Sequence, residues 1–322
     1  MGHRPARELR AWQTYIMHVR VLGAAAGGGF PQWNCGCPNC RGVRAGAAGL
    51  QARTQECVAV SADSDHWFLL NASPEIRSQI ESFPRLHPRQ ARHSPIRAVI
   101  LTNGDMDHVL GLLSLRESYP VVIYATDCVR RGFVSDNVLY RTLERFPGQV
   151  SWRRLIPGQE LDLMGVECEP SGLAITSVPV PGKPPVHLMG TGAADPEESI
   201  GLVIRDRRTG GSLAYFAAAG DITEAIRHAC WSANAVFFDG TFWSGDELIR
   251  LGLGTQRAAD MAHLPVGESG GSLERLRDLS AARRVYIHIN NTNPMLRADS
   301  PERAAVEARG WEVAYDGMEF TL

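Results

Sequence analysis

The stretch Ala98-Val99-Ile100-Leu101-Thr102-Asn103-Gly104-Asp105-Met106-Asp107-His108 decides how this chain is read. Its first five residues, four of them apolar, have the pattern of a buried strand. Polar side chains then fall at alternate positions, Asn103, Asp105 and Asp107, and the run ends in His108. Carboxylate and imidazole donors that leave a strand through one turn can converge on a metal ion. The same residues equally suit an Asx-rich turn capping a helix over Val109–Arg116, because short polar side chains compete for backbone hydrogen bonds there. Local sequence serves both readings, and residues elsewhere must choose between them.

The 322 residues allow one large α/β domain or two small ones. With 44% hydrophobic and 21% charged residues, the composition is that of an ordinary globular protein. A net charge of −2 gives no electrostatic case for nucleic acid or an anionic membrane as a main partner. No apolar run approaches the roughly 20 residues of a membrane span. Met1–Ile16 carries Arg4, Arg7 and Arg10 without the apolar core of a secretory signal. That segment reads as a disordered N-terminal extension or a misplaced start codon, leaving residues 17–322 as a single domain. Seven cysteines, three of them within six residues, fit a reducing cytoplasm and a metal clip better than a disulfide framework.

Short β-branched segments recur at Val19–Leu22, Cys57–Ser61, Trp67–Asn71, Ala98–Thr102, Val121–Ala125, Gly201–Ile204, Leu213–Ala217, Ala235–Phe238 and Val285–Ile289. Ser73-Pro74-Glu75 and Ser300-Pro301-Glu302 each offer a cap, a proline at the first helical position and an early acid. Ile222–Trp231 and Leu273–Leu279 carry apolar residues at helical spacing. The order lacks the steady alternation of a doubly wound sheet and predicts stacked sheets with helices outside. Gly182–Glu198, rich in Pro and Gly, reads as a long loop of the kind that is often functional.

Further constellations lie outside the opening stretch. Cys35, Cys37 and Cys40 place three thiols where they can grip one Zn²⁺ in a structural site. Cys57, Cys128, Cys168 and Cys230 are scattered and read as small core residues. The glycine-rich turn Gly23–Gly29 lacks the Lys-Ser/Thr of a phosphate loop and reads as a tight backbone passage beneath the site. His288 interrupts the apolar run Val285–Ile289 and precedes four polar residues, which marks it as a ligand candidate. Asp221 and Asp239 each end an apolar strand, with turn or helix capping as the plainer reading, and Thr241 and His263 complete the candidates.

Taken together, these residues resemble the metallo-β-lactamase superfamily, and more narrowly its pyrroloquinoline quinone (PQQ) biosynthesis protein B family. The resemblance rests on Met17–Gly23, Gly27-Gly-Gly-Phe-Pro-Gln-Trp-Asn-Cys35, Gly111–Glu117, His288-Ile-Asn-Asn-Thr-Asn-Pro294 and Tyr315–Glu319, and it runs from Met17 to the C-terminus. It implies an αββα sandwich with a metal at the rim of the two sheets and a small Cys-rich zinc loop. Asp107, His108 and His288 match the active-site ligands, and Asp221 matches the bridging aspartate. Asn103 and Asp105 stand where the usual His-x-His-x-Asp-His motif has its first two histidines, and the middle histidine expected near Val178–Lys183 is absent. Cys35, Cys37 and Cys40 match a structural zinc site whose fourth ligand, a histidine in relatives, is Asn291 by position. His263 falls where related hydrolases place a histidine near the substrate.

Two histidines and a carboxylate suit non-haem Fe(II), with coordination positions left for O₂ and substrate, better than the two-zinc hydrolytic site. The resemblance implies a cytoplasmic, iron-dependent hydroxylase acting on the tyrosine ring of a cross-linked Glu–Tyr precursor of PQQ. Asp105, Asn103 and His263 would orient groups or exchange protons, and Zn²⁺ or another divalent ion can take the iron's place on purification. Implied partners are the precursor, O₂ and other PQQ-pathway proteins, with a homo-oligomer left open. Two other functions fit the same resemblance: a carrier that helps PQQ or its precursor reach the periplasm, and a metal-dependent hydrolase.

Overall fold

The computed structural model describes residues 16–135, 137–185, 188 and 195–322. The expected N-terminal extension, apart from Ile16, and most of the middle of the expected loop Gly182–Glu198 lie outside these residues.

The first sheet contains β1 (His18–Gly23), β2 (Cys57–Ser61), β3 (Trp67–Leu70), β4 (Ile96–Ile100), β5 (Val121–Ala125) and β6 (Val150–Arg154), in spatial sequence. The second contains β7 (Glu160–Met164), β8 (Pro170–Pro179), β9 (Ile200–Asp206), β10 (Ser212–Phe216), β11 (Ala235–Asp239), β12 (Arg283–Ile287) and β13 (Glu312–Val313), again in spatial sequence. β14 (Glu319–Thr321) returns to pair antiparallel with β1. Strands β3 to β6 run parallel, as do β10 to β13, while the remaining pairs are antiparallel.

Period-2 alternation explains the stacking. In β2, Val58 and Val60 face the inter-sheet core, where they join Leu70, Ile100, Leu202, Tyr215, Phe237 and Val285. Cys57 and Ala59 face the opposite way, under a layer built by Ile76, Val129 and Phe133 of the first sheet's helices. On the second sheet the outward residues Phe216, Phe238 and Tyr286 are covered by Ile226, Val306 and Trp311. The result is a four-layer αββα sandwich. Each fully buried aliphatic or aromatic side chain contributes about 1.5–3 kcal/mol.

Several local expectations change. Ser300 caps its helix as expected, accepting from Arg303 N at 3.0 Å. Ser73 does not cap: its Oγ donates to Gln79 at 2.9 Å, and the helix begins only at Ile76. The expected helix Val109–Arg116 is one α-turn, Met106–Val109, followed by 3₁₀ winding over Leu110–Leu115. Gly111 is pressed against the Ala72–Ser73 backbone there: its N–H donates to Ala72 O at 2.9 Å, and a Cβ on it would lie 2.1 Å from Ser73 O. Leu273–Leu279 yields only the short helix Ser272–Arg275. Among the described residues, no helix is long and apolar enough to cross a membrane.

Candidate metal centre

The carboxyl ends of β3, β4, β11 and β12 meet at one rim, as do the end of β1 and the start of β2. Crevices outside strand carboxyl ends are where open α/β sheets present chemistry. A cavity of about 290 Å³ opens there, lined by Asn103, Asp105, Asp107, His108, Lys183, Thr241, His263 and His288, among others.

The turn after β4 is an Asx turn that gathers its polar side chains at the rim, without a side-chain cap on the short helix that follows. Asn103 Oδ1 accepts from Asp105 N at 3.0 Å, an Asx turn, and lies 2.7 Å from His108 Nδ1. The second contact puts the His108 proton on Nδ1 and leaves Nε2 as a lone-pair donor. That Nε2 is buried and lacks a hydrogen-bond partner, standing 3.8 Å from Asp107 Oδ2. A buried polar atom without a partner is costly, and a bound cation would satisfy it.

From the other sheet, His288 follows β12 with φ +57°, and the turn carries its ring into the cavity. Its Nε2 lies 3.1 Å from Asp107 Oδ2 and its Nδ1 lies 2.8 Å from Thr241 Oγ1. Thr241 Oγ1 is in turn 2.6 Å from Asp239 Oδ1. The hydroxyl therefore accepts from His288 and donates to the carboxylate, fixing the tautomer with Nε2 aimed at Asp107. Positive φ outside glycine is uncommon. Of the six described non-glycine residues that adopt it, Asn71 and His288 belong to this site and Ala262 is next to His263.

Asp107, His108 and His288 thus converge, with one donor atom from each lying within 4.8 Å of the others. Burial pushes the His288 imidazole down, but its hydrogen bond to Asp107 and the surrounding carboxylate charges outweigh this and raise it to about 9. Burial likewise works against the Asp107 charge, yet His108 and His288 hold it well below the usual carboxylate range. Burial lowers His108, with Asp107 opposing. The cluster is a carboxylate tuned to a neighbouring positive charge, which a proton or a metal ion can supply.

Asp239, fully buried, is the second hub. Its Oδ2 accepts from Ala219 N at 2.9 Å and pairs with His263 Nδ1 at 2.7 Å. Its Oδ1 accepts from the Thr241 backbone and hydroxyl. The His263 and His288 rings stack with centroids 5.4 Å apart. The expected bridging aspartate, Asp221, is not at this site. Its carboxylate is 55% exposed, pairs with Arg275 and accepts from its own helix entry at Ile222 N. β10 ends at Phe216, so the chain has passed the rim before it reaches Asp221.

Sequence reading missed the support behind His108. Glu56 is completely buried, with Oε2 3.7 Å from His108 Nε2. Asn71 donates to Glu56 at 2.9 Å, and the Tyr215 hydroxyl donates to its other oxygen. Asn71 Oδ1 also accepts from Thr102 N and Oγ1, each at 3.0 Å, tying β3 to the metal turn. Burial, the largest influence, raises Glu56 to about 7 against these two donors. No local motif announces the network, because its members come from four separate strands. The glycine-rich turn does pass beneath the site: a Cβ on Gly27 would sit 3.3 Å from Asp107 Oδ2, and one on Gly23 would sit 2.0 Å from Gln55 O.

A separate cluster gathers Cys35, Cys37 and Cys40 against Asn291, three residues beyond His288. The Asn291 amide nitrogen lies 3.1, 3.7 and 3.3 Å from the three sulfurs in that order. Burial pushes the Cys37 thiol up to about 11, with the neighbouring cysteines adding to it. Three sulfurs packed this closely can all ionise only with a cation among them.

The fold and this rim define a metallo-β-lactamase-superfamily protein: a family model described as a β-lactamase superfamily domain matches residues 66–289. The chain is 45% identical over 311 residues to coenzyme PQQ synthesis protein B of Methylorubrum extorquens strain PA1, covering 95% of this chain and all of that one. The Azotobacter vinelandii protein of the same name is 42% identical over 307 residues, with the same coverage. The crystal structure of Zn²⁺-bound PqqB from Methylobacterium extorquens superposes with a TM-score of 0.87 at 44% identity, over 95% of this chain and 100% of the other. A diphosphatase of the PhnP family, at 19% identity and a TM-score of 0.64 over 95% and 97% of the two chains, shares the fold. The chain belongs to the coenzyme PQQ synthesis protein B family.

Proposed function

We propose that this protein acts in PQQ synthesis as an Fe(II)- and O₂-dependent hydroxylase of the tyrosine ring in a cross-linked Glu–Tyr precursor. The observation that carries this is the convergence of Asp107, His108 and His288, with the buried His108 Nε2 lacking a partner. Two imidazoles and one carboxylate on one side of an open cavity are the donor set of non-haem iron oxygenases. Iron held there would supply the one-electron chemistry that lets O₂ react with an aromatic ring.

The remaining roles belong to the chain's own groups. Asn103 fixes the His108 tautomer, and Thr241 with Asp239 fixes that of His288. Asp239 also holds the His263 proton on Nδ1, leaving Nε2 free to take a proton from the substrate. Asp105 faces the cavity from the same turn and serves proton exchange at its mouth. The balance is one oxygen atom into a ring C–H bond and the other into water, with two electrons and two protons from an external reductant. A two-metal hydrolase is disfavoured because Asn103 and Asp105 stand in place of two motif histidines and Val178–Lys183 contains none.

The three thiols would hold a structural zinc, with Asn291 turning its amide oxygen inward as the fourth ligand. Tetrahedral Zn²⁺ with bonds of about 2.3 Å to sulfur and about 2.1 Å to oxygen has sulfur–oxygen edges of roughly 3.6 Å. The support for this reading is that the amide nitrogen lies 3.1, 3.7 and 3.3 Å from the three sulfurs, close to that edge length.

The test is anaerobic reconstitution with Fe(II), followed by air, ascorbate and the cross-linked Glu–Tyr compound. Product heavier by oxygen with Fe(II) and unchanged substrate with Zn²⁺ supports the hydroxylase, whereas a lighter, hydrolysed fragment overturns it. A carrier role would instead leave cellular PQQ output unchanged in His108→Ala.

A further inference from the structure

Among its 33 basic residues the chain has a single lysine, Lys183, and 32 arginines. At every other Lys/Arg position the chain carries arginine. The exception lines the metal-site cavity.

The segment that carries it is docked on the metal turn. Ser199 bridges to Asn103, and Gly182 packs so closely on Ser199 that a Cβ would stand 2.4 Å from its hydroxyl. Gly104 meets Pro185, and Gly220 N donates to Pro181 O at 2.9 Å. Pro184 restricts the Lys183 backbone to extended conformations. The side chain is therefore delivered to the cavity from a positioned backbone.

Among the described residues, the one polar partner of Nζ is Asp105 Oδ1 at 4.0 Å, beyond hydrogen-bond range. Its side chain is 27% exposed. All three ammonium donors thus remain available at the cavity mouth. A guanidinium here would behave differently: its planar fork would clamp Asp105 bidentately and reach toward Asp107, competing with the metal. A compact ammonium on a flexible stem can leave a loose ion pair for an incoming anion.

We propose that Lys183 is the anchor for a substrate carboxylate, and that it must be lysine so that Asp105 and Asp107 stay free. The carboxylate class follows from the charge of the wall: with Asp105, Asp107 and Asp260 lining the cavity, one ammonium matches one monoanionic group better than a phosphate dianion. This assignment deepens the proposed function and rests on its Glu–Tyr substrate, which bears several carboxylates.

The single lysine supplies its own test. Reductive methylation of the Zn²⁺-loaded chain can label only Lys183 and the N-terminal amine, which peptide mass spectrometry separates. The cross-linked Glu–Tyr acid should slow Lys183 labelling at least tenfold, while its fully methyl-esterified form and inorganic phosphate should not. By calorimetry, wild type should bind the acid at least tenfold more tightly than the ester. Lys183→Gln should bind both alike, and Lys183→Arg should not restore the preference. Unchanged labelling at saturating acid, equal protection by phosphate, or an intact preference in Lys183→Gln overturns the assignment. If the acid does not bind wild type, the substrate reading fails, and glutarate then decides for the lysine: protection sustains the anchor and no protection overturns it.

Discussion

Replacing Thr241 with valine removes one buried hydroxyl and little volume. That hydroxyl accepts from His288 Nδ1 at 2.8 Å and donates to Asp239 Oδ1 at 2.6 Å. In Thr241→Val the His288 N–H loses its partner inside a site where His288 is 5% exposed. Leaving a buried donor unpaired costs about 1–3 kcal/mol. Asp239 keeps the Thr241 and Ala219 backbone N–H groups and His263, so the second hub survives. The loss therefore falls on the orientation of the His288 ring, and such outer partners typically change metal affinity by about 10–100-fold. Chelator competition with Zn²⁺ reads this directly, since the thiol cluster serves as an internal control within the same chain. The expected result is a 10–100-fold weaker rim site, an unchanged cysteine site and near-complete recovery in Thr241→Ser. A rim-site affinity within twofold of wild type would refute the claim that Thr241 holds a metal-ligating His288.

Glu56→Gln should flatten part of the pH dependence of stability in the metal-free chain. Glu56 titrates at about 7 in the fold against an ordinary 4.5, so the folded chain holds this proton more tightly than the unfolded one. Its contribution is thus fullest below about pH 4.5 and declines as pH rises to about 7, by about 3 kcal/mol in all. Urea unfolding across that range should show wild type losing stability relative to the variant, and parallel curves would reject the account. Cys40→Ser should remove one zinc per chain by elemental analysis and lower the unfolding temperature, while Asn291→Ala should weaken that zinc without abolishing it. Full zinc content in Cys40→Ser would rule out the three-thiol site.

The parts of this fold legible in sequence were those with strong local patterning. The central strands β2, β5 and β11 are nearly continuous apolar runs, and β4 and β12 each end in an apolar triplet. Strands β6, β7, β8, β13 and β14 lack such patterning. The first two are sheet edges, where Arg153, Arg154, Glu160 and Asp162 are tolerated, and β8 begins and ends in proline. At the site, Asn103, Asp107, His108 and His288 were readable because one turn and one strand end carry them. Asp239 was readable only as one of two strand-end acids, and the choice between it and Asp221 depended on how far the chain runs past the rim. Glu56, Asn71 and Tyr215 carry no signal of their own, since a buried carboxylate network exists only once four strands are assembled.

The central claim, that the rim triad supports oxygen insertion rather than hydrolysis, is tested most directly by isotope. A single turnover of the Fe(II)-loaded chain with the cross-linked Glu–Tyr compound is run under ¹⁸O₂ in ordinary water and quenched at once. The account predicts hydroxylated product carrying one ¹⁸O atom per turnover, lost in His288→Ala. Label arriving only from H₂¹⁸O, in a cleaved product, would contradict it.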